Sequence, residues 1–326
     1  MILIKPILDS LRWEDMPDDV YFSNRYSDYV SNSRLSLINP EQGGSPEKFL
    51  ENRHSFSDSF LLGSAVHAEI LQPGEFDIIG GVDRPTAKLG RMADELFKYY
   101  PNITDEDIIA ASDKIDYYKG KMDDRKCQLV RDNCLPYWSK LKDLYDSKAI
   151  TKEPIFLDNN TKSKYDACVA SVKNNKEITS LLEPEGFFDD VIVGNEVAFF
   201  VVFLAVDTET GQSVEIPFKA KLDNFTIVGN DVTLNDLKTT RHWLDKFNES
   251  FKDYHYYRQM GAYSWLLRLY AEKLKIEVKS FKANMLVVST VPDYRSGVFR
   301  VKASEVQKGF DEFKNLLKLV AEVKMR

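Results

Sequence analysis

Three residues whose types and spacing could do chemistry lie in one predicted β-hairpin. A Gly-Asn dipeptide at 229–230, between two segments rich in apolar and β-branched residues, is a two-residue hairpin turn signal. If this dipeptide forms the loop, Asp223 lies directly opposite Asp236, with Cβ atoms about 4.5–5.5 Å apart. Lys238, two residues beyond Asp236, then lies on the same face of the hairpin. The three residues would form a compact charged site.

Two ionised carboxylates at that distance repel each other, so the pair costs stability unless a cation lies between them. Taken singly, each charged residue is most simply read as solvated surface. Aspartate is disfavoured within strands, however, and the joint geometry favours a divalent-metal site. Lys219 and Lys221 share the face of Asp223 and form a basic edge suited to a polyanion. A one-residue slip in register would place Asp223 and Asp236 on opposite faces, and the hypothesis depends on that register.

Two further candidate groups lie on predicted helices. His67 follows Gly63 by one helical turn, where a missing side chain would leave space for a substrate or a metal. Gln259 and Tyr263 are also one turn apart, on one face of another helix. Each group has a structural alternative, which is a packed histidine in the first case and a core tyrosine with a hydrogen-bonded glutamine in the second.

The composition indicates a soluble globular protein of 326 residues, with 43% hydrophobic and 29% charged residues. A net charge of −7 argues against nucleic-acid binding through the whole surface but is compatible with a local basic groove. No apolar run approaches the ~20 residues that span a bilayer, so we expect no membrane partner. The N-terminus lacks a signal-peptide layout, and the three scattered cysteines disfavour disulfides and a four-cysteine metal cluster. We expect a cytoplasmic protein.

The order of predicted elements indicates one α/β core with a helical N-terminal elaboration. We predict a single domain over 1–326, with a mainly helical part at 1–185 and a β-sheet core with flanking helices at 186–326. The segment 84–150 is helical in period and could form a wall or lid. Helices are predicted over 104–148, 160–183, 245–275 and 303–324, and strands over 196–206, 214–228, 231–240, 282–290 and 297–301.

Four motifs occur in a fixed order: Gly63-x-x-x-His67, Asp223, Asp236-x-Lys238 and Gln259-x-x-x-Tyr263. Together they resemble the RecB-type branch of the PD-(D/E)XK nuclease superfamily, and most of all the phage and prophage RecE-type exonucleases. The resemblance spans roughly residues 25–301. It implies a restriction-endonuclease-like core, in which helices flank a mixed central β-sheet.

The resemblance also implies roles for individual residues. Lys238 would position or help deprotonate the attacking water and stabilise the pentavalent phosphate, and one or two Mg²⁺ (or Mn²⁺) ions would be bound. Glu196 matches the position of an additional acid in many family members, with Glu215 as the competing assignment. The family usually has an arginine before the motif aspartate, where this chain has lysines. The implied metal-binding residues are Asp223, Asp236, Leu237 through its carbonyl, His67 and Glu196, and the implied DNA contacts are Gln259, Tyr263, Lys219, Lys221 and Thr239.

The activity that the resemblance implies is a metal-dependent exonuclease acting 5′ to 3′ on double-stranded DNA ends, generating single strands for recombination. The implied partners are DNA, a single-strand annealing protein and further copies of the chain. Two alternatives are open: a structure-specific or single-strand endonuclease of the same superfamily, and a DNA-binding module without activity. The sequence itself gives neither polarity nor processivity.

Overall fold

The computed structural model describes residues 1–51, 59–118, 120–183 and 191–326. The chain divides into two compact units: the first combines residues 1–55 with 171–326, and the second is residues 56–170. This division differs from the sequence-based boundary at residue 185. Ile2–Asp15 form a strand that belongs to the sheet of the first unit, whereas the sequence predicts these residues to lie in the mainly helical part at 1–185.

A six-stranded sheet forms the centre of the first unit, in the order β1-β4-β5-β6-β7-β8. Neighbouring strands are antiparallel except for β6 and β7, which are parallel. The predicted fold class, α/β with a mixed central sheet flanked by helices, is confirmed. The strands are β1 (Ile2–Asp15), β4 (Val191–Asp207), β5 (Ser213–Val228), β6 (Asp231–Thr240), β7 (Ser280–Ser289) and β8 (Ser296–Arg300), and the remaining two strands, β2 (Phe76–Ile79) and β3 (Glu153–Phe156), lie in the second unit.

The hairpin between β5 and β6 has the predicted register. Its two-residue loop contains Gly229 at φ +57°, a conformation that costs glycine little. The last ladder pair away from the loop is Asn224 with Asn235. Asp223 and Asp236 are the next residues in register, one position beyond that pair.

Helices of the first unit cover the sheet, and the longest two pack on each other. Parallel strands need a crossover, and the chain between β6 and β7 supplies α10 and α11. Gly309 of α12 approaches α11 so closely that a Cβ there would lie 1.7 Å from the carbonyl oxygen of Tyr257. The helices are α1 (Asp18–Tyr21), α2 (Asn32–Ser36), α3 (Pro46–Glu51), α9 (Lys176–Leu182), α10 (Phe247–Asp253), α11 (Tyr256–Lys273) and α12 (Ala303–Met325).

The second unit has its own apolar core around Trp138, whose indole N–H donates to the carbonyl of Ala93. Its two short strands pair in parallel. Among the helices of the described residues, none is long and apolar enough to cross a membrane. The helices of this unit are α4 (Ser59–Leu71), α5 (Ala87–Phe97), α6 (Asp105–Lys114), α7 (Asp124–Asp146) and α8 (Asn159–Lys173), the last of which extends past its boundary.

Candidate active site

Three acidic residues lie at neighbouring positions on three adjacent strands. The pairs on either side place Glu196 of β4 opposite Asp223 of β5. Asp236 of β6 is in turn opposite Asp223 by the register of the hairpin. Glu196 has φ +52°, which interrupts the ladder at this point. One carboxylate oxygen of Glu196 and one of Asp223 lie within 4.8 Å of each other. We call these three residues the acid row.

The two hairpin aspartates are held by hydrogen bonds. Oδ2 of Asp223 accepts from the backbone N–H of Leu237 at 2.8 Å. Oδ1 of Asp236 accepts from the side-chain amide of Gln259 on α11 at 2.7 Å. Asp223 is 9% exposed and Asp236 is fully buried. Both carboxylates are therefore fixed in orientation and largely withdrawn from solvent.

Lys238 supplies a cation next to the acid row. Its Nζ lies 2.6 Å from Oδ2 of Asp236. Burial opposes the charge of this lysine, but the carboxylates of Asp236 and Asp223 outweigh that effect and raise the pKa of Lys238 above its ordinary value. The ammonium group is thus charged at neutral pH, and the predicted grouping of Asp223, Asp236 and Lys238 is what the structure contains.

The structure distinguishes the two candidate additional acids. Glu196 is in the acid row, and its side chain is 12% exposed. Glu215 is exposed and lies near the other end of β5, opposite Leu204. Of these two residues, Glu196 is the one placed beside Asp223.

The two lysines predicted to contact DNA share the face of Asp223, but both have partners within the protein. Lys221 Nζ lies 2.5 Å from Asp18 and 3.4 Å from Glu196. Lys219 Nζ donates to the carbonyl of Tyr21 at 2.7 Å, and burial lowers its pKa. Their role in DNA binding stays a prediction, and the contacts present are with the N-terminal segment that packs on β5.

The remaining predicted residues occupy different surroundings. Tyr263 is 7% exposed, burial raises its pKa well above the ordinary value, and its hydroxyl bonds Gln259. Thr239 is half-buried on β6, and the Leu237 side chain is buried. His67 is half-buried on α4 in the second unit. The contacts of Gln259 and Tyr263 thus fit a positioning role toward Asp236, while DNA contact by these residues and metal binding by His67 stay predictions.

A row of asparagines adjoins the acid row and was missed by the sequence analysis. It connects four strands: the Nδ2 atom of Asn224 donates to Oδ1 of Asn195, that of Asn235 to Asn224, and that of Asn284 to Asn235, at 2.7, 2.7 and 2.9 Å. Asn235 also donates to the carbonyl of Leu181 at the end of α9. Asparagine is depleted in strands, so its recurrence at 224, 235 and 284 was an available signal.

A known family matches the part of the chain that carries these residues. The profile of a PDDEXK-like domain of unknown function (DUF3799) matches residues 147–326, more than half of the chain. The chain belongs to this family. Membership confirms the predicted PD-(D/E)XK superfamily, and the matched segment of this PDDEXK-like nuclease domain contains the whole acid row and Lys238.

No curated protein matches the PDDEXK-like chain in sequence. Among solved structures it is similar to one described as a "Putative exonuclease" from Eubacterium rectale, at 10% identity and a TM-score of 0.46, over 95% of this chain and 87% of that one. It is also similar to the crystal structure of SSO0001, at 14% identity and a TM-score of 0.25, over 81% of this chain and 87% of that one.

Proposed function

We propose that this chain is a metal-dependent deoxyribonuclease that hydrolyses phosphodiester bonds. The observation that carries the proposal is the acid row with a charged lysine against it. Glu196 and Asp223 bring carboxylate oxygens within 4.8 Å of each other, and Lys238 contacts Asp236 at 2.6 Å. Several acids beside one half-buried cation are unfavourable for stability alone, and they are the groups that metal-assisted phosphate chemistry needs.

The donor set fits a hard divalent cation such as Mg²⁺ or Mn²⁺, because it consists of carboxylate oxygens. Glu196, Asp223 and Asp236 would hold one or two ions, with the carbonyl of Leu237 and His67 as further ligands by resemblance to the family. A bound ion of this kind polarises a phosphate and lowers the pKa of a bound water.

The side chains of the protein orient the site and balance its charge. The Leu237 N–H fixes Asp223, and the Gln259 amide fixes Asp236. Lys238, with its raised pKa, is a stable cation that would neutralise charge developing on a phosphate and position the attacking water.

We further propose that the substrate is a double-stranded DNA end, degraded 5′ to 3′ to leave single strands for recombination in the cytoplasm. This finer assignment, the single-strand annealing partner and assembly into a homo-oligomer are supported by the order of the motifs, which resembles RecE-type exonucleases.

Digestion of linear against covalently closed circular DNA, with and without Mg²⁺, tests the activity. We expect loss of the linear form alone, and only with metal. Asp236→Asn should abolish it, while Asp231→Asn, an exposed aspartate at the loop end of the same strand, should not. Loss of the circle would indicate an endonuclease, and binding without degradation of either form would indicate an inactive DNA-binding module.

Polarity needs a separate measurement on the linear substrate. Duplexes labelled at the 5′ or the 3′ terminus of one strand should release a labelled mononucleotide or short fragment early only from the 5′ label. Early release from the 3′ label would contradict the proposed direction while leaving the nuclease assignment in place.

A further inference from the structure

An aromatic cluster begins beside Lys238 and ends at the protein surface. It consists of Phe247, Tyr256 and Tyr254. Nζ of Lys238 lies 5.6 Å from the centre of the Tyr256 ring. The centre of the Tyr256 ring is 6.0 Å from that of Phe247, with an interplanar angle of 20°. It is 5.6 Å from the centre of the Tyr254 ring, with an interplanar angle of 34°. Phe247 is buried, whereas Tyr254 is 54% exposed. The cluster therefore connects Lys238, next to the acid row, to an accessible aromatic ring.

The turn that presents both tyrosines is held by buried contacts. Tyr254 and Tyr256 flank His255, which has φ +52° and joins α10 to α11. Nδ1 of His255 lies 2.8 Å from Oε1 of Glu312 and 2.7 Å from the hydroxyl of Tyr257. A left-handed conformation at a residue other than glycine persists only where its surroundings impose it. Tyr254 is thus displayed on a fixed turn.

Flat aromatic rings next to a cation match the two parts of a nucleotide. The ammonium group attracts phosphate, and a nucleobase of any sequence can stack on an exposed phenol ring. A base inside a duplex is already stacked on both faces, so only a terminal or single-stranded base has a free face to offer. Tyr263, the aromatic residue predicted to bind DNA, is 7% exposed and is much less accessible for stacking than Tyr254.

We propose that Tyr254 and Tyr256 form a stacking subsite for an unpaired nucleobase of a DNA strand, next to the phosphate that Lys238 attracts. This inference rests on the proposed nuclease function and adds to it the state of the substrate at the site. The subsite requires a base with a free face, as at a frayed or single-stranded end, and it tolerates all bases because every base has a π-face.

Fluorescence of 2-aminopurine tests the subsite without relying on cleavage. Oligonucleotides with 2-aminopurine as the terminal base are titrated with the full chain in EDTA. Stacking of this base on a tyrosine ring quenches its fluorescence. Tyr254→Leu, which removes the flat ring and keeps an apolar side chain, should remove most of the quench and weaken binding by about 5- to 150-fold, as for loss of one stacked base. Tyr254→Phe keeps the ring and should retain both the fluorescence quench and the binding affinity. The same probe inside a duplex should not respond to either variant.

The outcomes separate this inference from the nuclease proposal. Unchanged quenching and affinity in Tyr254→Leu, with Mg²⁺-dependent cleavage by the wild-type chain, would overturn the stacking subsite alone. Quenching that depends on Tyr254, with no cleavage by the wild-type chain under any metal, would support the subsite and refute the nuclease. Quenching that is as strong for the internal probe as for the terminal one would overturn the preference for an unpaired base.

Discussion

The side-chain amide of Asn235 donates to Oδ1 of Asn224 at 2.7 Å, one position away from Asp236 and Asp223 on the same two strands. Both asparagines are fully buried. Because side chains alternate along a strand, the asparagine bond lies on the face opposite the acids. The bond ties β5 to β6 immediately next to the point where their ladder ends, one position from the two aspartates.

Asn235→Ala should destabilise the protein by about 2–6 kcal/mol, because two buried partners lose a hydrogen bond at about 1–3 kcal/mol each. Those partners are Oδ1 of Asn224 and Nδ2 of Asn284. Urea unfolding measures the change. The matched control is Asn315→Ala on the exposed face of α12, which should stay within about 0.5 kcal/mol of wild type. A loss for Asn235→Ala no larger than that of the control would contradict a structural role for the asparagine row.

The three cysteines lie in the second unit, and the reactivity of their thiols shows whether that unit is folded around them. All are buried, and burial raises the pKa of Cys134 to about 12 and that of Cys168 to about 11, with Cys127 also raised. A thiol-reactive dye at pH 8 should therefore modify none of them in the native protein and all three in denaturant, because thiolate is the reactive form. Rapid labelling of one native thiol would indicate local opening.

The same thiols make the stability of the protein depend on pH. Unfolded thiols ionise near pH 8.5. Above that pH the thiols of the unfolded state become charged before those of the folded state, so the free energy of unfolding should fall as pH rises toward 11.

The hairpin was predictable because its signals are local. The Gly-Asn loop and two apolar arms fix both the strands and their register, and the observed β5 and β6 match the predicted segments to within one residue. Strand β1 was missed because its alternation is interrupted and its register shifts between Ile7 and Arg12. The predicted helix over 245–275 is broken at His255, which has a left-handed conformation and contacts Glu312, a residue distant in sequence.

In the candidate site, too, groupings set by local sequence were predictable, and those set by distant residues were not. Asp223, Asp236 and Lys238 could be grouped from the sequence because one hairpin carries them all. The choice between Glu196 and Glu215 needed the register of β4 on β5 and was left open. Lys219 bonds Tyr21 and Lys221 bonds Asp18, both about 200 residues earlier in the chain, and no local pattern indicates such contacts.

Gln259→Met should lower Mg²⁺-dependent cleavage by about 10- to 100-fold, the usual cost of removing a residue that orients a metal ligand. Methionine keeps the length and volume but cannot donate to Oδ1 of Asp236. DNA affinity measured in EDTA should change little. If affinity falls as much as cleavage, Gln259 contacts DNA directly, as the sequence analysis predicted, and its bond to Asp236 is secondary.

Lys238→Met should reduce turnover by about 10²–10³-fold, the range for loss of one group that stabilises transition-state charge. Binding of DNA without metal should be much less affected. Lys282→Ala removes an exposed lysine from the adjacent strand β7 and should change neither quantity. Equal losses of turnover and binding in Lys238→Met would make Lys238 a simple phosphate contact.

Glu196→Gln should weaken the stabilisation of the protein by Mg²⁺ or Mn²⁺. In the wild-type chain a metal at 100 times its Kd should add about 2.7 kcal/mol, visible as a higher Tm that EDTA reverses. Glutamine in place of Glu196 removes one of the two carboxylates that lie within 4.8 Å of each other, so the same metal concentration should raise Tm less. Glu215→Gln changes the competing acid on β5, and its Tm should respond to metal like that of the wild-type chain. In the same titration, His67→Gln tests whether the predicted histidine is a metal ligand. A normal response in Glu196→Gln together with a reduced one in Glu215→Gln would reverse the assignment of the third acid.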